Sequence, residues 1–477
     1  MVSGKRMKMA VGGALVLVLA GAAAMLAGCN SARSNMGGGE GGGKNASQSS
    51  GRKDTTQLYE IKAMTPAHAD SPYKRWANGP SQSKEFFPLA IYGQKPELAP
   101  RYQAVGINVY CGLWEGPTEA QLATLKKYNM PVICSQNPVG LAHINDPLII
   151  GWSQGDEPDM VRDKKKFEQY ISHYALPFMF GKPNAWESLL AAWPGQTFPA
   201  AEKAVAPIPP AWIVSSYNDM RAKDPSRPVF LNFMPTVATK SQNARGFRSG
   251  HNEDYLEYLK GCDIASFDIY PVSETGLKTG MSKEVAGKLW YVAEGVTNLR
   301  TWTNGQKPIW NAIEVTNIDV DNTQKLRPRD VKAQVWMSLV HGSMGIAYFT
   351  HQFKQGKYVT DRAVLDDPEM LAGLTAINRQ ILTLAPALNS PSSATPATVV
   401  PANAEVPIAS MTKAEGKTIH VFAVAMRPGE TKATFTVPGL TTGTVTVLGE
   451  DRNIPLAGGR FEDAFSDWDV HLYEIKP

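Results

Sequence analysis

The 477-residue sequence predicts a (β/α)8 TIM barrel followed by a small C-terminal antiparallel β-sandwich domain. Between residues 86 and 351, short apolar runs rich in β-branched residues alternate with longer amphipathic or charged stretches. Runs that are apolar on both faces and separated by helix-length segments are typical of parallel strands covered by helices. The runs are FFPLAIYG, VGINVYCG, MPVICSQN, LIIGWSQGDEP, RPVFLNFMP, CDIASFDIYPV, KPIWNAIEVTN and GSMGIAYFTH. Eight such units over this length predict a closed barrel.

Two of the segments between these runs have a clear helical pattern. The segment PTEAQLATLKKYN has a proline near its start and apolar residues at Leu122 and Leu125. The segment RPRDVKAQVWMSLVHG ends at Gly342 and carries one apolar stripe, as an amphipathic helix does. The stripe consists of Val331, Val335, Trp336 and Leu339. A much longer segment follows the fourth run, and we predict that its residues 178–212 form an insertion that overhangs one end of the barrel.

From about Ser390 onward the pattern changes to short alternating strands separated by Gly, Pro and Asn. The strands are TIHVFAVAM, KATFTV, GTVTVLG and DVHLYEI. Such a series is typical of a small antiparallel β-sandwich. We therefore expect a barrel domain at residues 57–389 and a β-sandwich at residues 390–477, connected by the helix-like segment PEMLAGLTAINRQILTLAPAL.

The N-terminus has the pattern of an export signal. Lys5, Arg6 and Lys8 precede an apolar stretch at residues 9–26, which leads into the tetrapeptide LAGC. This arrangement resembles a bacterial lipoprotein signal, in which the chain is cleaved before a cysteine that becomes lipidated, here Cys29. The alternative is a transmembrane anchor, because 18 apolar residues could nearly span a bilayer.

On the lipoprotein interpretation, residues 1–28 are the signal peptide and residues 29–56 are a flexible tether rich in Gly and Ser. The expected location is the bacterial cell envelope, with membrane attachment only through the lipidated Cys29. Asn30 is not the aspartate associated with retention in the inner membrane, so the outer membrane or cell surface is favoured.

Charge and cysteine usage exclude several classes of partner and cofactor. The net charge of +4 would fall to +1 once residues 1–28 are removed, which gives no support to nucleic-acid binding. Cys111, Cys134 and Cys262 lie in apolar runs and are expected to be core residues. No His or Cys spacing typical of a metal site and no phosphate-binding glycine loop occurs, so we expect neither a metal nor another cofactor.

Polar and aromatic residues follow the predicted strands, at the barrel end where functional residues of such folds lie. In chain order they are Tyr92, Tyr110, Trp114, Gln136, Asn137, Asp156, Glu157, Asn232, Asp268, Tyr270, Glu314, Tyr348 and His351. Glu157 ends strand four and Glu314 ends strand seven, and strands three apart in an eight-stranded barrel nearly face each other. Their carboxyl groups could come to roughly 5 to 5.5 Å, the separation that a retaining glycosidase uses for its acid/base and its nucleophile.

The series of motifs resembles the large clan of retaining (β/α)8 glycoside hydrolases that contains cellulases, β-mannanases and β-galactosidases. In that clan the acid/base glutamate ends strand four, usually in Asn-Glu-Pro, and the nucleophile glutamate ends strand seven. The resemblance covers about residues 86–355. It implies that Glu157 in GDEP is the acid/base and Glu314 in WNAIEVTN the nucleophile, and that Tyr270 in FDIYPV donates a hydrogen bond to the nucleophile.

One residue departs from the pattern of the clan, which usually has asparagine where this chain has Asp156. A carboxylate accepts hydrogen bonds but cannot donate them as an amide does, so either the contact to the sugar differs or the carboxylates divide their roles differently. Its negative charge beside Glu157 also raises the proton affinity of Glu157, which suits a general acid at neutral pH.

Further strand-end residues are candidate contacts to an oligo- or polysaccharide substrate. They are Tyr92, Trp114, Asp156, Asn232, Tyr270, Tyr348 and His351. For Trp152 and Trp310, which lie inside strands, core packing is expected instead.

The sequence therefore predicts a glycoside hydrolase that acts with retention, and the resemblance to the clan implies a β-linked glycan as its substrate. One alternative is a carbohydrate-binding surface protein built on an inactive barrel, because a fold does not fix a function. A second is an inverting hydrolase that uses Asp156, with carboxyl groups roughly 6.5 to 9.5 Å apart. A lone DEP tripeptide also commonly caps a helix, so the prediction rests on both glutamates together.

Overall fold

A computed structural model describes residues 71–174, 184–198, 205–241, 243–277 and 281–476. Within them, eight parallel strands close into one barrel in the order β1 to β8, which confirms the predicted fold class. The strands are β1 (Leu89–Tyr92), β2 (Val109–Cys111), β3 (Val132–Ser135), β4 (Ile149–Ser153), β5 (Val229–Phe233), β6 (Ile264–Asp268), β7 (Ile309–Glu314) and β8 (Gly345–Phe349). The predicted signal, tether and Cys29 lie outside the described residues.

Helices between the strands form the outer layer of the barrel. They are α1 (Ala99–Ala104), α2 (Glu119–Lys127), α3 (Pro138–Ala142), α4 (Lys164–Tyr174), α5 (Ala185–Ala191), α6 (Pro210–Lys223), α7 (Glu253–Tyr258), α8 (Glu274–Leu277), α9 (Ser282–Val285), α10 (Tyr291–Trp302) and α11 (Pro328–Val340). Helix α2 begins where predicted, because Thr118 and Gln121 form a reciprocal capping box. Among the helices described, none is long and apolar enough to cross a membrane.

The strands are buried on both faces, as their composition predicted. Inward-facing side chains form a separate core inside the barrel, which consists of Tyr73, Trp76, Ala90, Val109, Cys111, Ile133, Ile150, Phe230, Ile264, Trp310, Ala312 and Ala347. The alternate residues pack outward against the helices. Cys111, Cys134 and Cys262 are free and buried, as expected.

Strand β8 leads into a hairpin of β9 (Gln352–Lys354) and β10 (Lys357–Thr360), and then into a helical connection to the C-terminal domain. That connection consists of α12 (Ala363–Asp366), α13 (Pro368–Thr383) and α14 (Ala385–Leu388). Phe353 of the hairpin packs with Tyr270 and Ile318. The hairpin therefore covers the β6 and β7 side of the barrel end at which the strands finish.

The C-terminal domain is antiparallel, as predicted, and its eight strands form one continuous sheet with the order β11-β14-β17-β16-β15-β18-β13-β12. They are β11 (Thr398–Pro401), β12 (Ile408–Glu415), β13 (Thr418–Ala425), β14 (Thr431–Thr436), β15 (Thr442–Val447), β16 (Arg452–Ala457), β17 (Arg460–Phe465) and β18 (Val470–Lys476). The sheet encloses its own apolar core. It also packs on the barrel, where Phe422 lies 5.2 Å from Trp336 of α11, centroid to centroid.

Candidate active site

The end of β4 is shaped by an extra residue and by an unusual backbone conformation. Val132 pairs with Ile149 and Ile133 pairs with Gly151, so Ile150 is an additional residue in β4, that is, a β-bulge. Beyond the strand, Glu157 has a φ of 47°, in the left-handed region that non-glycine residues rarely adopt. Such strain persists where the surroundings fix it, and it is common at functional sites. Here the amide of Glu157 donates to the carbonyl oxygen of Asn232 on β5, at 2.9 Å.

Two further residues hold this turn. A Cβ atom at Gly155 would clash with the hydroxyl of Tyr170 on α4, so only glycine fits there. The buried guanidinium of Arg162 donates to the carbonyl oxygens of Asp156 and Glu157, at 3.1 and 2.8 Å, and lies over the ring of Tyr170. The side chains of Asp156 and Glu157 are thus presented from a backbone that is fixed on both sides.

One amide group joins carboxylates from two strands. The Nδ2 of Asn232 donates to Oδ1 of Asp156 at 3.0 Å and to Oδ1 of Asp268, the last residue of β6, at 3.1 Å. Asn232 and Asp268 lie in the inward-facing register of β5 and β6, since Phe230 and Ile264 two and four residues earlier belong to the interior core. We call Asp156, Glu157, Asn232 and Asp268 the carboxylate cluster.

Burial and mutual repulsion favour protonated carboxyl groups in this cluster. Burial is the main cause that raises the pKa of Glu157 well above its usual range, and the charges of Asp268 and Asp156 add to it. Burial likewise raises the pKa of Asp268 well above its usual range, followed by the charge of Asp156. Burial also raises the pKa of Asp156, and the hydrogen bond from Asn232 opposes that rise.

The carboxylate of Glu314 at the end of β7 is held by other groups. Its oxygens accept from the backbone amides of Val272 and Ser273, at 2.8 and 2.9 Å, and from Nε2 of Gln334 on α11, at 3.2 Å. The residue is 0 % exposed. Burial raises the pKa of Glu314 to about 7, and hydrogen bonds from the side chain of Ser273, from the two amides and from Gln334 limit the rise because they favour the ionised form.

A row of aromatic rings lies at the same barrel end. Trp114, which follows β2, stacks on His351, with ring centroids 6.0 Å apart. His351 packs on Phe349 at 4.8 Å, and Phe349 stacks on Tyr270 at 5.3 Å. Trp114 is half-buried and offers ring surface to a ligand, whereas His351 is 1 % exposed. Burial lowers the pKa of His351 to about 4, so the imidazole is neutral at pH 7.

The structure brings most of the predicted site residues together. Asp156, Glu157 and Asn232 form the carboxylate cluster with Asp268, and the charges of Asp156 and Asp268 act on the Tyr92 hydroxyl. Trp114 stands in the aromatic row. The geometric relation of Glu157 to Glu314, predicted from strand positions, remains a prediction, because the described contacts of the two carboxyl groups involve different residues.

Three predicted roles need correction. Tyr348 is wholly buried in the outer layer, where its hydroxyl donates to Asn378 of α13 at 2.7 Å, because odd and even residues of β8 face opposite sides. His351 is buried and stacks on Trp114, so it positions that ring and presents almost no surface to a ligand. The hydroxyl of Tyr270 forms a hydrogen bond with Asp268. The donors to Glu314 include the backbone amides of Val272 and Ser273 and the side chain of Gln334.

Asp268 and Arg162 were not assigned a role from the sequence. Asp268 is among the polar strand-end residues of the sequence, and its place two residues before Tyr270 in the inward-facing register of β6 is the signal that points to a role. Arg162 acts through backbone carbonyl groups in a loop, which leaves no pattern in the sequence. Within the described residues, no group of three or more His, Cys, Asp and Glu side chains has the geometry to hold a metal ion.

Comparisons with known proteins add little to this geometry. No protein-family model and no curated protein matches the chain. Solved structures of similar shape include a β-galactosidase from G. stearothermophilus, with 9 % identity and a TM-score of 0.49 over 85 % of this chain and 100 % of that chain. They also include an α-amylase from Geobacillus thermoleovorans in complex with acarbose, with 11 % identity and a TM-score of 0.47 over 83 % of this chain and 100 % of that chain. An endoxylanase from Clostridium papyrosolvens has 11 % identity and a TM-score of 0.39 over 86 % of this chain and 98 % of that chain.

At these identities and TM-scores, the likeness establishes neither a family nor an activity. The barrel itself is defined by the pairing of its strands.

Proposed function

We propose that the protein is a glycoside hydrolase in which Glu157 is the general acid. The observation that carries this proposal is the state of the Glu157 carboxyl group. It is buried at the C-terminal barrel end with a raised pKa, and within the described residues no side chain or amide donates a hydrogen bond to it. A carboxyl group that keeps its proton near neutral pH and has no other partner is suited to protonate a leaving glycosidic oxygen.

For the second carboxyl group we retain Glu314 as the proposed nucleophile. In this scheme Glu157 protonates the leaving oxygen while Glu314 attacks the anomeric carbon, and Glu157 then takes a proton from the water that releases the sugar. The two backbone amides that bind separate oxygens of Glu314 match an ionised carboxylate, which is the state that attack requires. The net outcome is hydrolysis with retention.

One observation favours a second candidate, a carbohydrate-binding protein on an inactive barrel. Glu314 is 0 % exposed and its oxygens already accept three hydrogen bonds, as a purely structural carboxylate would. Trp114 would serve binding as well as catalysis, because a pyranose ring packs on an exposed indole face in either case. An inverting hydrolase is the variant in which Asp156 serves as the base.

A β-linked oligo- or polysaccharide is the proposed substrate, and the cell envelope is the proposed location. The location rests on the signal-like N-terminus and on Cys29, which would tie the enzyme to a membrane by lipid alone. An enzyme held in this way would act on glycans outside the cytoplasm.

The test is a screen of the chain from residue 57 onward, which keeps every described residue, against β-linked glycans and aryl glycosides. We expect turnover by the wild type and loss of turnover in Glu314→Gln. Proton NMR of the first product formed then separates the mechanisms, because retention supports Glu314 and inversion supports Asp156. Glycan binding by both proteins with turnover by neither would establish the binding protein instead.

A further inference from the structure

The carboxyl groups of Asp156, Glu157 and Asp268 interact at one side of the site. Which of them holds a proton decides which can act as the general acid. Asp156 and Asp268 each lie within hydrogen-bonding distance of the same nitrogen, Nδ2 of Asn232. Both charges act on Glu157. Like charges this close do not all ionise together, and a proton that remains in the cluster resides on the group that is least stabilised as an anion.

The hydrogen-bond donors are unequally distributed. Asp156 accepts from Asn232, and Asp268 accepts from the same nitrogen and is further favoured in its ionised form by the Tyr270 hydroxyl. The carboxyl group of Glu157 receives no such donor within the described residues. Each donor favours the ionised form of the group it binds, so the two aspartates lose their protons first and Glu157 loses its proton last.

We propose that Asp268 is a positioning residue that, together with Asn232, keeps the proton of the site on Glu157. This inference rests on the proposed role of Glu157 as general acid. Burial is the larger cause that keeps Glu157 protonated, and the charge of Asp268 adds to it from a different strand. Several other groups act on the same side of the site, namely Asp156, Asp159, Arg162, Tyr92, Tyr170 and Tyr270.

The variant that tests the proposal is Asp268→Asn, which removes the charge but keeps an oxygen that can accept from Asn232. Asp263→Asn is the matched control, because Asp263 lies just before β6, at the other end of the strand from Asp268. There it accepts hydrogen bonds from Tyr217 and from the amide of Val229. Carboxyl 13C NMR of glutamate-labelled protein follows the titration of Glu157 directly, and the signal is assigned by its loss in Glu157→Gln. No substrate is needed for this measurement.

We expect the pKa of Glu157 to fall by at least about one unit in Asp268→Asn and to stay unchanged in Asp263→Asn. With a substrate in hand, the high-pH limb of kcat/KM moves down by the same amount, while activity at acidic pH stays within a few fold of the wild type. An unchanged Glu157 titration in Asp268→Asn overturns the proposal. Loss of turnover at every pH in that variant also overturns it, because Asp268 would then take part in the reaction itself.

These outcomes are distinct from failure of the proposed function. If Glu157→Gln turns over every substrate as the wild type does, the role of Glu157 as acid is wrong, whereas the NMR titration still reports whether Asp268 controls the proton.

Discussion

The two ends of the barrel differ in how their buried polar atoms are hydrogen-bonded. At the N-terminal end, Nε1 of Trp310 donates to the hydroxyl of Tyr73 at 2.8 Å, and that hydroxyl donates to the carbonyl oxygen of Met344 at 2.9 Å. At the C-terminal end, Oδ1 of Asn232 is buried without a hydrogen-bond partner in the described residues, and the buried hydroxyl of Tyr92 meets only the thiol of Cys111, a weak partner. The hydrogen-bond chain of Trp310, Tyr73 and Met344 is complete, whereas the C-terminal end leaves a buried amide oxygen and the carboxyl group of Glu157 open to a ligand.

This difference separates stability from function along the same eight strands. A paired polar group contributes to the native state, whereas an unpaired one lowers stability until something binds to it. The positive φ of Glu157 and the raised pKa values of its carboxylate cluster lie at the C-terminal end. Substitutions at the C-terminal end should therefore change activity, and substitutions at the N-terminal end should change the free energy of unfolding.

The largest effect is expected for Glu157→Gln at the C-terminal end. Removal of the general acid should lower kcat/KM on a glycan by about 10² to 10⁴, with little change in thermal stability. Aryl glycosides with a good leaving group need less protonation and should be affected much less. Glu257→Gln, on the exposed surface of α7, is the matched control and should retain full activity. Equal losses on both kinds of substrate would show that Glu157 does not act as an acid.

At the N-terminal end, Trp310→Ala should reduce stability instead. Trp310 is fully buried in the interior core, so truncation should lower the free energy of unfolding by about 3 to 5 kcal/mol. Urea unfolding measures this change, and activity per folded molecule should stay close to that of the wild type. A stable variant that has lost its activity would contradict the separation of the two ends.

The pH dependence of turnover tests Glu314. Since attack requires the ionised form and the pKa of Glu314 lies at about 7, activity should be present above that pH and should fall about tenfold per unit below it. Gln334→Leu removes a donor to the ionised carboxylate, so the low-pH limb should move to higher pH. A profile that stays flat down to pH 5 would count against Glu314 as the nucleophile.

Much of the barrel could be predicted because its strands are apolar on both faces and several of them end at or just before a polar residue, as β6 does at Asp268 and β7 at Glu314. Alternation along a strand also placed Trp310 in the core. Side-chain partners were harder to predict. Tyr348 lies one residue out of register with the barrel interior, and the hydrogen bonds of Glu314 come from a loop and a helix whose positions depend on tertiary packing.

The smallest effect gives the sharpest comparison, because it uses the same substitution at both ends. Tyr73→Phe leaves the buried Trp310 nitrogen without its acceptor and should lower the free energy of unfolding by about 1 to 3 kcal/mol. Tyr92→Phe removes a hydroxyl that, among the described residues, has only the weak Cys111 thiol as a partner, so it should change stability by clearly less than Tyr73→Phe does. Thermal unfolding of both variants measures the difference. If Tyr92→Phe proves as destabilising as Tyr73→Phe, the Tyr92 hydroxyl contributes a hydrogen bond to the fold, as Tyr73 does, and is not available to a ligand.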